Sequence, residues 1–192
     1  MKECINNPFC QSLDLKTRER LCAHATITYQ KAKQIQVVNP ENANLEIIVK
    51  GVLFTFTISE DGSQEGIQLV KKGEILGTHL LFERLQFPVT HTLSLTDVIR
   101  CNFPIHFIEK LFNENREFAQ ALMKNLTLDH TNNLSHWAFL RSKSGPEKVA
   151  FIYKSLQKLD VDMNLITQED LALITGVSRI TVARAMKDIY KK

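Results

Sequence analysis

The chain has 192 residues, too many for one minimal module and enough for one large domain or two small ones. Hydrophobic residues make up 44% and charged residues 23%, which predicts a packed core and argues against long disordered tracts. The net charge is only +3, no stretch reaches the roughly 18 apolar residues of a membrane span, and Glu3, Asn6 and Asn7 interrupt any signal-peptide hydrophobic region. A cytoplasmic protein without membrane association is expected.

In chain order, Leu13, Leu15, Leu21 and Ala25 lie among charges, and Asp14 is placed to cap a short helix over residues 16–22. From Thr26 to Cys101 the runs become β-branched and aromatic, as in Glu46-Ile-Ile-Val49 and Val52-Leu-Phe-Thr-Phe-Thr-Ile58, and read as a meander or roll. Asp61-Gly62 marks a tight hairpin, because glycine takes φ > 0 without steric cost. Gly73 and Gly77 bracket Glu74-Ile75-Leu76, which predicts two sharp turns around a short buried segment.

After Pro104 the period becomes helical: Leu111, Phe118, Leu122 and Leu126 lead a stripe that continues through Trp137 and Leu140. Asn115, His130 and Asn133 fall on the same face, and polar residues in an apolar seam fix register in paired helices. One long dimerisation helix over residues 104–142 is expected, with a single helix lying on the β-roll as the alternative. Ser142-Lys-Ser-Gly145 then breaks it, and Pro146 opens a further helix carrying Val149, Ile152, Tyr153, Leu156 and Leu159.

The C-terminal segment carries the functional signal. Thr167-Gln-Glu-Asp170 has a hydroxyl cap followed three residues later by a carboxylate, so a helix starts at Gln168 and buries Leu171, Ala172 and Ile174. Gly176 ends it in a left-handed turn, and Ser178 caps a second helix that buries Val182, Ala185 and Met186. Two short helices meeting at one glycine make a helix-turn-helix, with the early turns of the second helix aimed at base edges. The predicted DNA contacts are Ser178, Arg179, Ile180, Arg184 and Lys187. Arginine forks onto guanine O6 and N7, exposed isoleucine packs on a thymine methyl, and lysine attracts phosphates without reading sequence. Arg179, Arg184, Lys187, Lys191 and Lys192 against Asp188 alone give the last fourteen residues an excess of +4, an anion-seeking end.

The stretch Leu165-Ile-Thr-Gln-Glu-Asp-Leu-Ala-Leu-Ile-Thr-Gly-Val-Ser-Arg-Ile-Thr-Val-Ala-Arg184 resembles the helix-turn-helix of the CRP/FNR family of bacterial transcription regulators. Ile58-Ser-Glu-Asp-Gly62 and Gly73-Glu-Ile-Leu-Gly77 are similar to that family's β-roll hairpin and glycine-glutamate corner. The resemblance implies an α+β chain in three parts: a cupin-like sensory β-roll over 1–103, a dimerisation helix over 104–142 and a DNA-binding domain over 143–192. It implies a homodimer on a palindromic stretch of double-stranded DNA, with RNA polymerase as a further partner and effector contacts at Gly73, Glu74, Gly77 and Thr90.

The sequence departs from the family in three places. Val89 stands where cyclic-AMP-binding members carry a phosphate-binding arginine, so a buried phosphate lacks its charge partner and cyclic AMP is not the expected effector. Ile180 replaces a base-reading glutamate, so the operator differs from theirs. The sequence stops at Lys192, before the family's β-hairpin wing, which implies weaker DNA affinity and leaves a second reading: a ligand- or redox-sensing dimeric module with a truncated, weak or inactive DNA-binding domain.

The oxygen-sensing branch binds a four-thiolate iron-sulfur cluster, and Cys4, Cys10 and Cys101 resemble three of its ligands in context. Cys22, the remaining candidate, falls outside the family's tight cluster loop, so a cluster, a thiol or disulfide switch and plain burial stay open for the four cysteines. The six histidines show no metal-ligand spacing, and the absence of a phosphate-cradling glycine loop, a based nucleophile or paired carboxylates argues against an enzyme.

Overall fold

The computed structural model describes residues 7–38, 44–81 and 89–190. Helix α1 (Pro8–Gln11) and helix α2 (Leu15–His24) precede eight strands: β1 (Thr26–Gln30), β2 (Ile35–Val38), β3 (Asn44–Lys50), β4 (Val52–Ile58), β5 (Gln64–Lys71), β6 (Ile75–Leu76), β7 (Thr90–Ser94) and β8 (Val98–Pro104). Five helices follow: α3 (Ile105–Glu114), α4 (Arg116–Arg141), α5 (Gly145–Lys158), α6 (Gln168–Thr175) and α7 (Arg179–Ile189). The protein is therefore α+β, as expected. Asp14 caps α2 by accepting from the Thr17 amide at 2.9 Å, and Gly62 takes φ 81° in the β4–β5 hairpin, both as the sequence predicts.

The strands form two four-stranded antiparallel sheets, ordered β1-β8-β3-β6 and β2-β7-β4-β5. Successive side chains on a strand point to opposite faces, and here both faces are covered. On β3 and β8, Leu45, Ile47, Val49, Cys101 and Phe103 pack outward against α1 to α4. On β4 and β7, Val52, Phe54, Phe56 and Leu93 pack outward against the C-terminal helices, with Val149, Ile152, Leu171 and Val182 in the same core. The intervening residues point into the roll, where Ile48, Leu53, Val70 and Val98 form a small apolar cluster beside buried Glu46, Thr55, Thr92 and Arg100.

The helical region differs from the sequence expectation in two ways. A single helix over 104–142 is replaced by two, because Asn115 leaves helical geometry at φ −123°, ψ 103°. Its side chain accepts from the Phe118 amide at 2.9 Å, capping α4, and donates to Thr17 Oγ1 at 2.8 Å. Asn115 is thus a helix cap tied to α2, and Asn133 donates to Gln68 Oε1 of β5 at 2.7 Å, so each already has a partner within the chain. The stripe itself is also redirected. Leu111, Phe118 and Leu122 are fully buried in this chain's own core, and Leu126 packs against it. Phe118 meets Phe9 edge to face at 6.1 Å. Periodicity identified an apolar face correctly but not what covers it.

Candidate nucleic-acid interface and sensory cavity

The C-terminal bihelix is built from local signals. Thr167 Oγ1 accepts from the Asp170 amide at 3.1 Å while the Asp170 carboxylate accepts from the Thr167 amide, a capping box that starts α6. Gly176 ends α6 at φ 66°, a left-handed position that a side chain strains. Ser178 caps α7 by accepting from the Thr181 amide at 3.3 Å. Val182, Ala185 and Met186 turn inward onto α5 and α6.

The opposite face of α7 is open. Arg179, Ile180, Arg184 and Lys187 are exposed, and Ile180, at 66%, is among the most exposed large apolar side chains. The geometry brings four of the five predicted contacts to one surface, while the Ser178 hydroxyl is engaged in its cap. Arg179 Nη1 lies 2.7 Å from Glu169 Oε1 on α6, an exposed pair that water screens. Glu169 was not singled out from the sequence, although it is the second residue of α6 and its acidity is plain there.

The bihelix docks on the roll through α6. Lys33, in left-handed geometry at φ 69° in the β1–β2 turn, forms an ion pair with Asp170. At Gly66 of β5 an added Cβ would lie 2.7 Å from the Leu173 carbonyl oxygen and 2.5 Å from the Phe54 ring, so this approach requires glycine.

Inside the roll lies a cavity of about 160 Å³ lined by Asn44, Glu46, Thr55, Gln68, Gly77, His79, Thr90 and Thr92 among others. Two of the four predicted effector residues, Gly77 and Thr90, line it. Gly73 and Glu74 do not: Gly73 donates to the Ile48 carbonyl at 2.9 Å and packs beside Pro8, while the Glu74 carboxylate accepts from the Lys71 amide at 3.0 Å. Burial raises the Glu74 carboxyl above the ordinary carboxylate range.

Arg100, which sequence reasoning missed, is the dominant charge in this interior. It is 1% exposed and donates to Glu46 Oε2 at 2.8 Å, to Thr92 Oγ1 at 3.1 Å and to Gln30 Oε1. A lone arginine in an apolar-looking strand carries no sequence signal of where it points. Val89 is 53% exposed and lines no part of the cavity.

Cys4 lies outside the described residues. Cys10 is buried, and burial, reinforced by neighbouring Cys22, pushes its thiol up to about 11. Cys22 is half-buried and free, and Cys101 is buried and disulfide-bonded. Among the described residues no three histidine, cysteine or carboxylate side chains are grouped to hold a metal. No helix among the described residues is long and apolar enough to cross a membrane.

A double-sheeted roll, a long connecting helix and a bihelical head make up the architecture. Solved structures share it. A transcriptional regulator described as CRP/FNR family from Eubacterium rectale ATCC 33656 superposes with a TM-score of 0.74 at 15% identity, covering 95% of this chain and 86% of its own. The c-di-GMP-responsive global regulator CLP of Xanthomonas campestris gives 0.69 at 15%, covering 93% and 92%. A CRP/FNR-family regulator from Thermus thermophilus gives 0.66 at 18%, covering 86% of each chain. The chain thus has the CRP/FNR fold, and these neighbours are transcription regulators. No family model matches the sequence, and no curated relative matches it.

Proposed function

We propose that the chain is a DNA-binding transcription regulator that reads a palindromic operator as a homodimer under control of a signal sensed in the roll. The observation that carries this reading is the open face of α7, where Arg179, Ile180, Arg184 and Lys187 stand on a capped helix that follows a glycine turn. Arg179 and Arg184 are base or phosphate contacts, Ile180 an apolar contact, and Lys187 a phosphate contact. Pairing uses the solvent face of α4, where Met123, Thr127, Leu134 and Ala138 recur at helical spacing and are exposed.

The effector occupies the roll cavity, touching Gly77 and Thr90. Cyclic AMP does not suit it, because no arginine or lysine of the described residues lines the cavity and Arg100 of the roll interior already pairs with Glu46. The test is selection of operator fragments from random double-stranded DNA by the full chain, followed by gel shift. Selective retention of an inverted repeat supports the reading, and equal binding to every fragment at each salt concentration rejects it.

The disulfide at Cys101 favours a second reading, a redox-sensing dimeric module with a weak DNA-binding domain. Reductant would then change sedimentation or stability while leaving DNA retention at the non-specific level.

A further inference from the structure

A second cavity, of about 280 Å³, lies outside the roll where the three parts of the chain meet. Its walls come from β4 (Phe54), β5 (Leu69, Lys71), the C-terminal half of α4 (His136, Trp137, Leu140), the end of α5 and its C-cap (Lys158, Leu159) and α6 (Ile174). Pockets of roughly 300–1,000 Å³ that join an apolar lining to a few polar groups are the usual form of small-molecule sites, and this one falls just below that range.

The chemistry of the lining narrows the occupant. Phe54, Leu69, Trp137, Leu140, Leu159 and Ile174 supply an apolar floor, and the Trp137 indole offers an aromatic surface. Two cations and one carboxylate, Glu74, line the same space. Lys71 is 3.7 Å from Glu74 and so partly neutralised, whereas Lys158 has no ion-pair partner among the described residues. Burial lowers the basicity of His136, so the histidine adds no positive charge at neutral pH. An aromatic and aliphatic floor beside one uncompensated ammonium suits an aromatic ring carrying a carboxylate.

We infer that this junction cavity is a binding site for a small aromatic carboxylic acid, its ring against Trp137 and its carboxylate on Lys158. A ligand there touches the sensory sheet, the connecting helix and the DNA-binding helices together. By mass action it stabilises the arrangement in which all three meet. The inference deepens the regulator reading by adding a second control point, and it rests on that reading only for its biological consequence.

The test needs no DNA. Trp137 is the only tryptophan in the sequence, so indole emission excited at long wavelength reports this cavity alone. The probe is 3-phenylpropanoate, which does not absorb there, and 3-phenylpropanamide is its neutral comparator. The expected result is a saturable emission change with 1:1 stoichiometry by calorimetry, weakened about tenfold by Lys158→Gln and by the neutral probe, as loss of one charge-assisted hydrogen bond predicts. Lys154→Gln, exposed on α5 and outside the cavity lining, leaves it unchanged. A linear, unsaturable change, or equal affinity in Lys158→Gln and wild type, overturns the site. Because Lys158 is exposed, its substitution leaves the fold intact, which circular dichroism checks. Failure of this titration leaves the DNA-binding reading standing, and failure of the gel shift leaves the titration unaffected.

Discussion

Arg100 in the β-roll and Arg184 on α7 carry the same charge in opposite settings. Arg100 is buried between two sheets with its guanidinium bonded to Glu46, Thr92 and Gln30, whereas Arg184 extends from a helix into solvent. The roll encloses its polar groups and covers its outer faces with apolar contacts to helices. The bihelix does the reverse, keeping Val182, Ala185 and Met186 inside and its cations outside. One region encloses its charge and the other exposes it, and substitutions in each should therefore fail in different ways.

The largest effect is expected in the roll. Arg100→Met leaves Glu46 buried without its partner and lowers unfolding stability by about 3–5 kcal/mol in urea melts, while adding Glu46→Gln restores much of the loss. If the single variant is as stable as wild type, the buried pair does not organise the interior.

Cys10 gives a smaller effect with a definite pH window. Its thiol ionises near 9 when unfolded and near 11 when folded, so its contribution is complete below pH 9 and declines as the pH rises toward 11. The total is at most about 2.7 kcal/mol. Melts of Cys10→Ala should be flatter with pH across that window, and iodoacetamide at pH 8 should label Cys22 well before Cys10 in the folded protein.

On the bihelix, Arg184→Ala should cost about 1–3 kcal/mol of operator affinity by gel shift with no change in melting temperature. A matching loss on random DNA would assign Arg184 to phosphates and blur the contrast with Arg100. The smallest effect is at a cap: Thr167→Ala removes one half of the capping box and lowers stability by about 1 kcal/mol.

These two regions were also unequally legible in the sequence. The bihelix is specified by signals within a few residues of each other, Thr167 to Asp170, Gly176 and Ser178, so its helices start and stop where the sequence predicts. The roll's strands were recognisable, but their inner and outer faces were not. With helices on both flanks, β4 is buried almost throughout and the alternation that marks an inside is lost. Glu46, Thr92 and Arg100 therefore went unnoticed, and the glycine-glutamate corner drew attention to Gly73 and Glu74, which lie outside the roll cavity. The α4 stripe failed for a related reason: an apolar period fixes a buried face without distinguishing a partner subunit from the chain's own core.

Gly66 gives the docked head an unusual vulnerability. Because the backbone of α6 rests against a residue with no side chain, even a methyl group at position 66 would act as a wedge between roll and head. Alanine there would prise the two apart while every exposed residue of α7 stayed in place, separating posture from chemistry in a single substitution.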